Sequence, residues 1–83
     1  MFELRISKRA EKQIKKLKKE YQAEVIEMLA DIKENPLLGK SLARDLNDRF
    51  SYRIRVYRII YKINQADKVI DVLSAGHRSR AYN

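Results

Sequence analysis

Arg53, Arg55 and Arg58 lie close together in YRIRVYRIIYKI, residues 52–63, and the segment AGHRSRAYN, residues 75–83, adds His77, Arg78, Arg80 and Tyr82. Guanidinium groups stay protonated and present a planar fork of donors that fits phosphate oxygens. A histidine adds a group that titrates near neutrality, and a tyrosine adds a ring on which a base can stack. Together these side chains suit a phosphodiester with a flanking base. If the substrate is RNA, its own 2′-OH can attack the adjacent phosphate. The protein then needs only to orient the sugar-phosphate, stabilise the extra negative charge and move protons, with neither a metal nor a covalent intermediate. Each residue also has a plainer reading. Tyr82 could cover apolar surface, His77 could be an ordinary surface histidine, and Arg80 could be solvated.

Competing chemistries find less support. His77 is the only histidine and cysteine is absent, so no spaced ligand set for a metal can be assembled, and no cofactor is expected. Gly39 and Gly76 stand alone, which excludes a glycine-rich phosphate loop. Ser74 and Ser79 near one histidine are a weak basis for a serine nucleophile.

The elements that must position these residues can be read from periodicity. FELRI, residues 2–6, alternates as a strand with Phe2, Leu4 and Ile6 on one face. Ser7 stands where a helix N-cap belongs, and Ala10, Ile14, Leu17 and Tyr21 follow at helical spacing. The opposite face carries Lys8, Arg9, Lys12, Lys15, Lys16, Lys18 and Lys19. Val25, Met28, Leu29 and Ile32 continue in a different phase, so a break near 19–22 and a second helix are expected. Asn35 and Pro36 end that helix, and PLLGKS reads as a loop. LARDLNDRF could form a short helical turn or an edge strand. From Ser51 onward the signal is β: YRIRV, YRIIYKI and KVIDVLSAG, the last two separated by NQAD, a polar hairpin loop. The expectation is a single α+β domain over residues 1–83, with two N-terminal helices on a mainly antiparallel four-stranded sheet whose other face stays partly open.

The alternation in YRIRVYRIIYKI changes phase between Val56 and Tyr57, and a turn or bulge must absorb the shift. If it does, Arg53, Arg55 and Arg58 share one sheet face. Like charges so close call for an anionic partner. The composition agrees: 19 Lys and Arg against 11 Asp and Glu give a formal charge of +8, within 83 residues that are 45% apolar. Such a balance attracts nucleic acid or acidic proteins. No apolar run is long enough to span a membrane, and MFELRISKRA lacks an apolar signal core. The expected setting is therefore cytoplasmic, without a membrane partner.

The order of YRIRV, YRIIY and GHR followed by a tyrosine, in a short basic chain with the NPLLGKSL loop, resembles the RelE branch of the RelE/ParE toxin family. The resemblance covers nearly the whole chain. It implies a metal-independent endoribonuclease that cuts mRNA on the ribosome and is neutralised by a cognate acidic, RelB-like antitoxin. Carried over by position, Arg53 and Arg55 match two basic strand positions often filled by lysine, and Arg58 matches a phosphate-binding arginine. Arg78 matches an arginine proposed as phosphate ligand or general acid, and Tyr82 a tyrosine that stacks on or orients the substrate nucleotide. Arg80 joins Arg53, Arg55 and Arg58 as an expected RNA contact.

Two departures from the family pattern stand out. Relatives carry a glycine-containing turn, roughly RVGDYRIIY, where Val56 here runs straight into Tyr57. Arginine at 53 and 55 is a poor general base, which moves the expectation for that role to His77. The alternatives are a ParE-like toxin that inhibits DNA gyrase, and an inactive relative that only binds antitoxin.

Overall fold

A computed structural model describes residues 2–41 and 49–77 of the chain. Strand β1 (Glu3–Ile6) leads into α1 (Lys8–Lys15) and α2 (Lys19–Glu34). A short 3-10 turn (Pro36–Leu38) and β2 (Lys40–Ser41) follow, then β3 (Arg49–Ile54), β4 (Tyr57–Asn64) and β5 (Val69–His77). The sheet has five strands in the order β1-β5-β4-β3-β2. β1 runs parallel to β5, and the other neighbours are antiparallel. The strand beyond the expected four is β2. Two residues of the PLLGKS segment pair with β3, too short a run for alternation to reveal. Residues 42–48, where the sequence suggested a helical turn or edge strand, lie outside the described residues.

Local chemistry explains where the elements begin and end. The Ser7 hydroxyl accepts from the Ala10 amide at 3.0 Å, capping α1, and donates to the Leu73 carbonyl at 3.0 Å. α1 closes at Lys16, somewhat earlier than the sequence phase indicated. The Gln22 side chain reaches back to the Leu17 carbonyl at 2.8 Å and satisfies the exposed backbone of the bend. α2 stops at Asn35, immediately before Pro36. At the β4–β5 hairpin, Asn64 and Asp67 bond reciprocally through side chain and backbone, which closes the polar loop.

Ala10, Val25, Met28, Leu29 and Ile32 from the helices pack against Tyr57, Ile59, Tyr61, Ile70, Val72 and Ala75 of the sheet. Complete burial of side chains such as Ile32 and Ile59 contributes about 1.5–3 kcal/mol each, which is what holds helices to one face. Phe2 and Leu4 join this core, whereas Ile6 remains 44% exposed. In the β4–β5 pairing the register shifts between Ile60 and Tyr61 of β4, leaving Leu73 of β5 as the extra residue of a bulge. Gln13 accepts from the Ala75 amide at 2.9 Å, tying α1 to the strand just past that bulge. No helix among the described residues is long and apolar enough to cross a membrane.

Candidate nucleic-acid interface

The phase change in YRIRVYRIIYKI resolves into a hairpin. Ile54 pairs with Tyr57, and Arg55 and Val56 alone make the link. A two-residue link puts an even position before it and an odd position after it on the same face, which is the shift seen in the sequence. Arg55 takes a left-handed φ of 56°, and the β-branched Val56 has no positive φ. The next rung pairs Arg53 with Arg58. Both point away from the helices.

Across that open face the register builds rows of side chains. Arg53, Arg58 and Gly76 form one, and Lys40, Ser51, Ile60 and Ser74 form the next. Arg49, Lys62, Asp71 and Arg5 form a third. Leu38, Lys40, Ser41, Ser51, Tyr52, Arg53 and Arg58 line a hollow of about 450 Å³ at the β2 edge. Arg53 is exposed, whereas Arg58 is part-buried with its Nε withdrawn from solvent. A Cβ built on Gly76 would meet nothing within 4 Å, so open space lies beside Arg58. Guanidinium forks, the Lys40 ammonium and the Ser51 hydroxyl, all on the open face, can hold phosphate oxygens by charge-assisted hydrogen bonds.

The hollow does not gather every residue the sequence nominated. Arg55 was expected on the arginine face. Instead its place in the turn sends its guanidinium to the helix side, 3.1 Å from Glu24 of α2. There it borders an acidic groove of about 410 Å³ lined by Glu20, Glu24, Glu27 and Asp31, with Ala23, Met28 and Ile54. His77 was also expected at the edge of the arginine face. It pairs with Tyr57, and the two rings meet edge-on at 6.5 Å between centroids. Tyr57 in turn packs on Tyr21 of α2 at 5.7 Å, so His77 lies on the helix side of the sheet, across from Arg53 and Arg58. Strand alternation explains the displacement, because His77 shares the phase of Ala75, a core residue. Arg78, Arg80 and Tyr82 lie outside the described residues.

Sequence reasoning missed Lys40, Ser41 and Ser51, and it missed what holds the first two in place. The Tyr61 phenol, buried in the core, accepts from the Gly39 amide at 3.0 Å and donates to the Pro36 carbonyl. Burial pushes its pKa up, and the Gly39 hydrogen bond opposes this only in part. The only available signal was Gly39 beside Lys40: a Cβ at Gly39 would lie 2.6 Å from the Tyr61 oxygen, so a glycine is required there.

The fold and this hollow define a small α+β domain with a cationic face on its open sheet side. Residues 4–82 match the family described as the ParE toxin of the type II toxin–antitoxin system parDE, and the chain belongs to that family, with RelE-like character. It is 31% identical to Toxin RelG of Mycobacterium tuberculosis over 83 residues, covering 98% of this chain and 95% of that protein. The toxin–antitoxin complex RelBE2 of M. tuberculosis contains a chain that superposes with a TM-score of 0.85 at 32% identity, with 93% of this chain and 98% of that one covered. The isolated E. coli RelE toxin gives a TM-score of 0.80 at 26% identity, with 99% and 92% covered.

Proposed function

We propose that this toxin is a ribosome-dependent endoribonuclease that cuts mRNA without a metal. The observation that carries this reading is the Arg53–Arg58 rung on the open face, bordered by the Ser51 hydroxyl and by the space over Gly76. Arg58 and Arg53 hold the scissile phosphate. Arg78 and Tyr82, by their likeness to the RelE pattern, supply a further phosphate contact and the ring that orients a base. The 2′-oxygen attacks phosphorus and loses its proton, while the bond from phosphorus to the 5′-oxygen breaks and that oxygen gains a proton. The products are a 2′,3′-cyclic phosphate and a 5′-hydroxyl. Arginines stabilise the charge of the pentacoordinate phosphate but do not exchange protons at neutral pH. This division of labour suits an enzyme that relies on the ribosome to align its substrate.

A cognate acidic antitoxin is the second proposed partner. The charge of +8 favours an acidic protein, and the similar RelBE2 structure is a toxin–antitoxin complex. The matched family also bears the ParE name, which keeps gyrase inhibition as the rival activity. Primer extension on a reporter mRNA in a translating extract separates the two. Cuts at codon-spaced positions that require ribosomes and disappear in Arg58→Ala and Arg78→Ala support the RNase. Intact mRNA with growth still arrested transfers the reading to gyrase.

A further inference from the structure

We infer that Lys40 is a third phosphate ligand of the hollow, held there by the Tyr61 phenol through Gly39. This rests on the RNA reading of the site and extends it to a residue outside the Arg53–Arg58 hairpin. Arg55, which by sequence belonged with Arg53 and Arg58, is engaged with Glu24 on the other side of the sheet. Lys40 occupies the side that Arg55 leaves. It pairs with Ser51, so it stands one row from Arg53 and lines the same concavity.

A two-residue edge strand has few hydrogen bonds of its own to fix its position. The loop that carries it is fixed from beneath. Tyr61 is fully buried and stacked on Phe50, with ring centroids 5.6 Å apart and planes at 17°. Its hydroxyl meets both the carbonyl of Pro36 and the amide of Gly39, the residue immediately before Lys40. Pro36 is itself buried, which leaves the loop little room to swing. A core side chain therefore sets where an exposed ammonium sits. The ligand implied is a phosphate of a single-stranded RNA next to the one gripped by Arg58.

The test is a fluorescence-anisotropy titration of a labelled 2′-O-methyl oligoribonucleotide, which binds but offers no nucleophilic 2′-OH, over a range of salt concentrations. Each phosphate neutralised on a single strand contributes about 0.7 to the slope of log affinity against log salt. Lys40→Gln should lower the slope by about that amount, and Lys40→Arg should retain it. Tyr61→Phe should lower it toward the Lys40→Gln value, and the double variant should lose nothing beyond Lys40→Gln. Thermal unfolding of each variant confirms that the comparison is between folded proteins. A wild-type slope in Lys40→Gln, with a reduced slope in Arg58→Ala, overturns the role of Lys40 and leaves the arginine hollow standing. Wild-type slopes in both variants overturn the RNA reading of the hollow as well.

Discussion

The two sides of the β3–β4 hairpin use the same residue type in opposite ways. On the helix side, Arg55 meets Glu24 at 3.1 Å, and the Tyr52 hydroxyl donates to Asp31 at 3.3 Å. Charge there fastens the hairpin to α2. On the open side, Arg53 is placed directly across from Arg58, with Lys40 in the next row, an arrangement that like-charge repulsion makes unfavourable by itself. On the proposed function, charge there serves a phosphate of the RNA. A single structural feature separates the two uses. The left-handed Arg55 turns the strand over within two residues and removes one arginine from the cluster.

The largest effect should come from testing that sidedness by RNA affinity. Hydrogen bonds to charged groups contribute about 1.5–3 kcal/mol, so Arg58→Ala should weaken oligoribonucleotide binding about 10- to 100-fold. Arg53→Ala, at a more exposed site, should fall below that range, and Arg55→Ala should change affinity less than about 2-fold because the helix-side ion pair is weak and remote from the hollow. Equal losses at positions 55 and 58, measured by anisotropy at one salt concentration, would break the comparison.

The second prediction concerns the post beneath the open side. Tyr61→Phe leaves the Gly39 amide and the Pro36 carbonyl without their partner, at an expected cost of about 1–3 kcal/mol in urea unfolding. The same phenol gives the fold an alkaline limit. Burial, and then the neighbouring Tyr52, favour the neutral form of Tyr61 and raise its pKa above the ordinary value of 10.0. Above that pH the unfolded chain releases its proton first and binds fewer protons than the folded chain. Stability therefore falls as pH rises from about 10 toward the folded-state value. Tyr61→Phe should make this fall shallower without abolishing it, because Tyr52 and Tyr57 are also shifted upward, chiefly by burial. An alkaline melting profile unchanged by the substitution would remove Tyr61 from that role.

Much of the fold was legible because periodicity and punctuation agreed. Val25, Met28, Leu29 and Ile32 are all buried as their spacing indicated, Ser7 caps α1, and Asn35–Pro36 ends α2. Strand alternation also put Arg53 and Arg58 together once the phase change was read as a turn. Legibility failed where one residue decides the direction of another. Alternation cannot say whether Arg55 is the last residue of a strand or the first of a turn, and that choice sends its side chain to α2 or to the hollow. His77 failed for a related reason. The bulge at Leu73 and the pairing with Tyr57 set which face it takes, and both are properties of the sheet as a whole. Lys40 was invisible because two residues have no period, and its position depends on a tyrosine 21 residues along the chain, through a Gly39 hydrogen bond that spans 22.

The smallest effect isolates the turn itself. The Arg55–Glu24 pair is exposed on the arginine side, where such pairs contribute about 0.2–1 kcal/mol. Glu24→Gln should therefore lower the unfolding free energy from urea titration by no more than that, and Arg55→Ala should lose a similar amount because alanine retains the cost of the left-handed backbone. Arg55→Gly removes the pair and that cost together. A left-handed conformation disfavours a non-glycine residue by about 1–2 kcal/mol, while glycine adds entropy to the unfolded chain, so the net change should lie within about 1 kcal/mol of zero. RNA affinity should stay at the wild-type value in all three variants. Loss of affinity in Arg55→Gly with stability unchanged would show that the guanidinium reaches the open side after all, and the separation of the two arginine roles would collapse into one shared site.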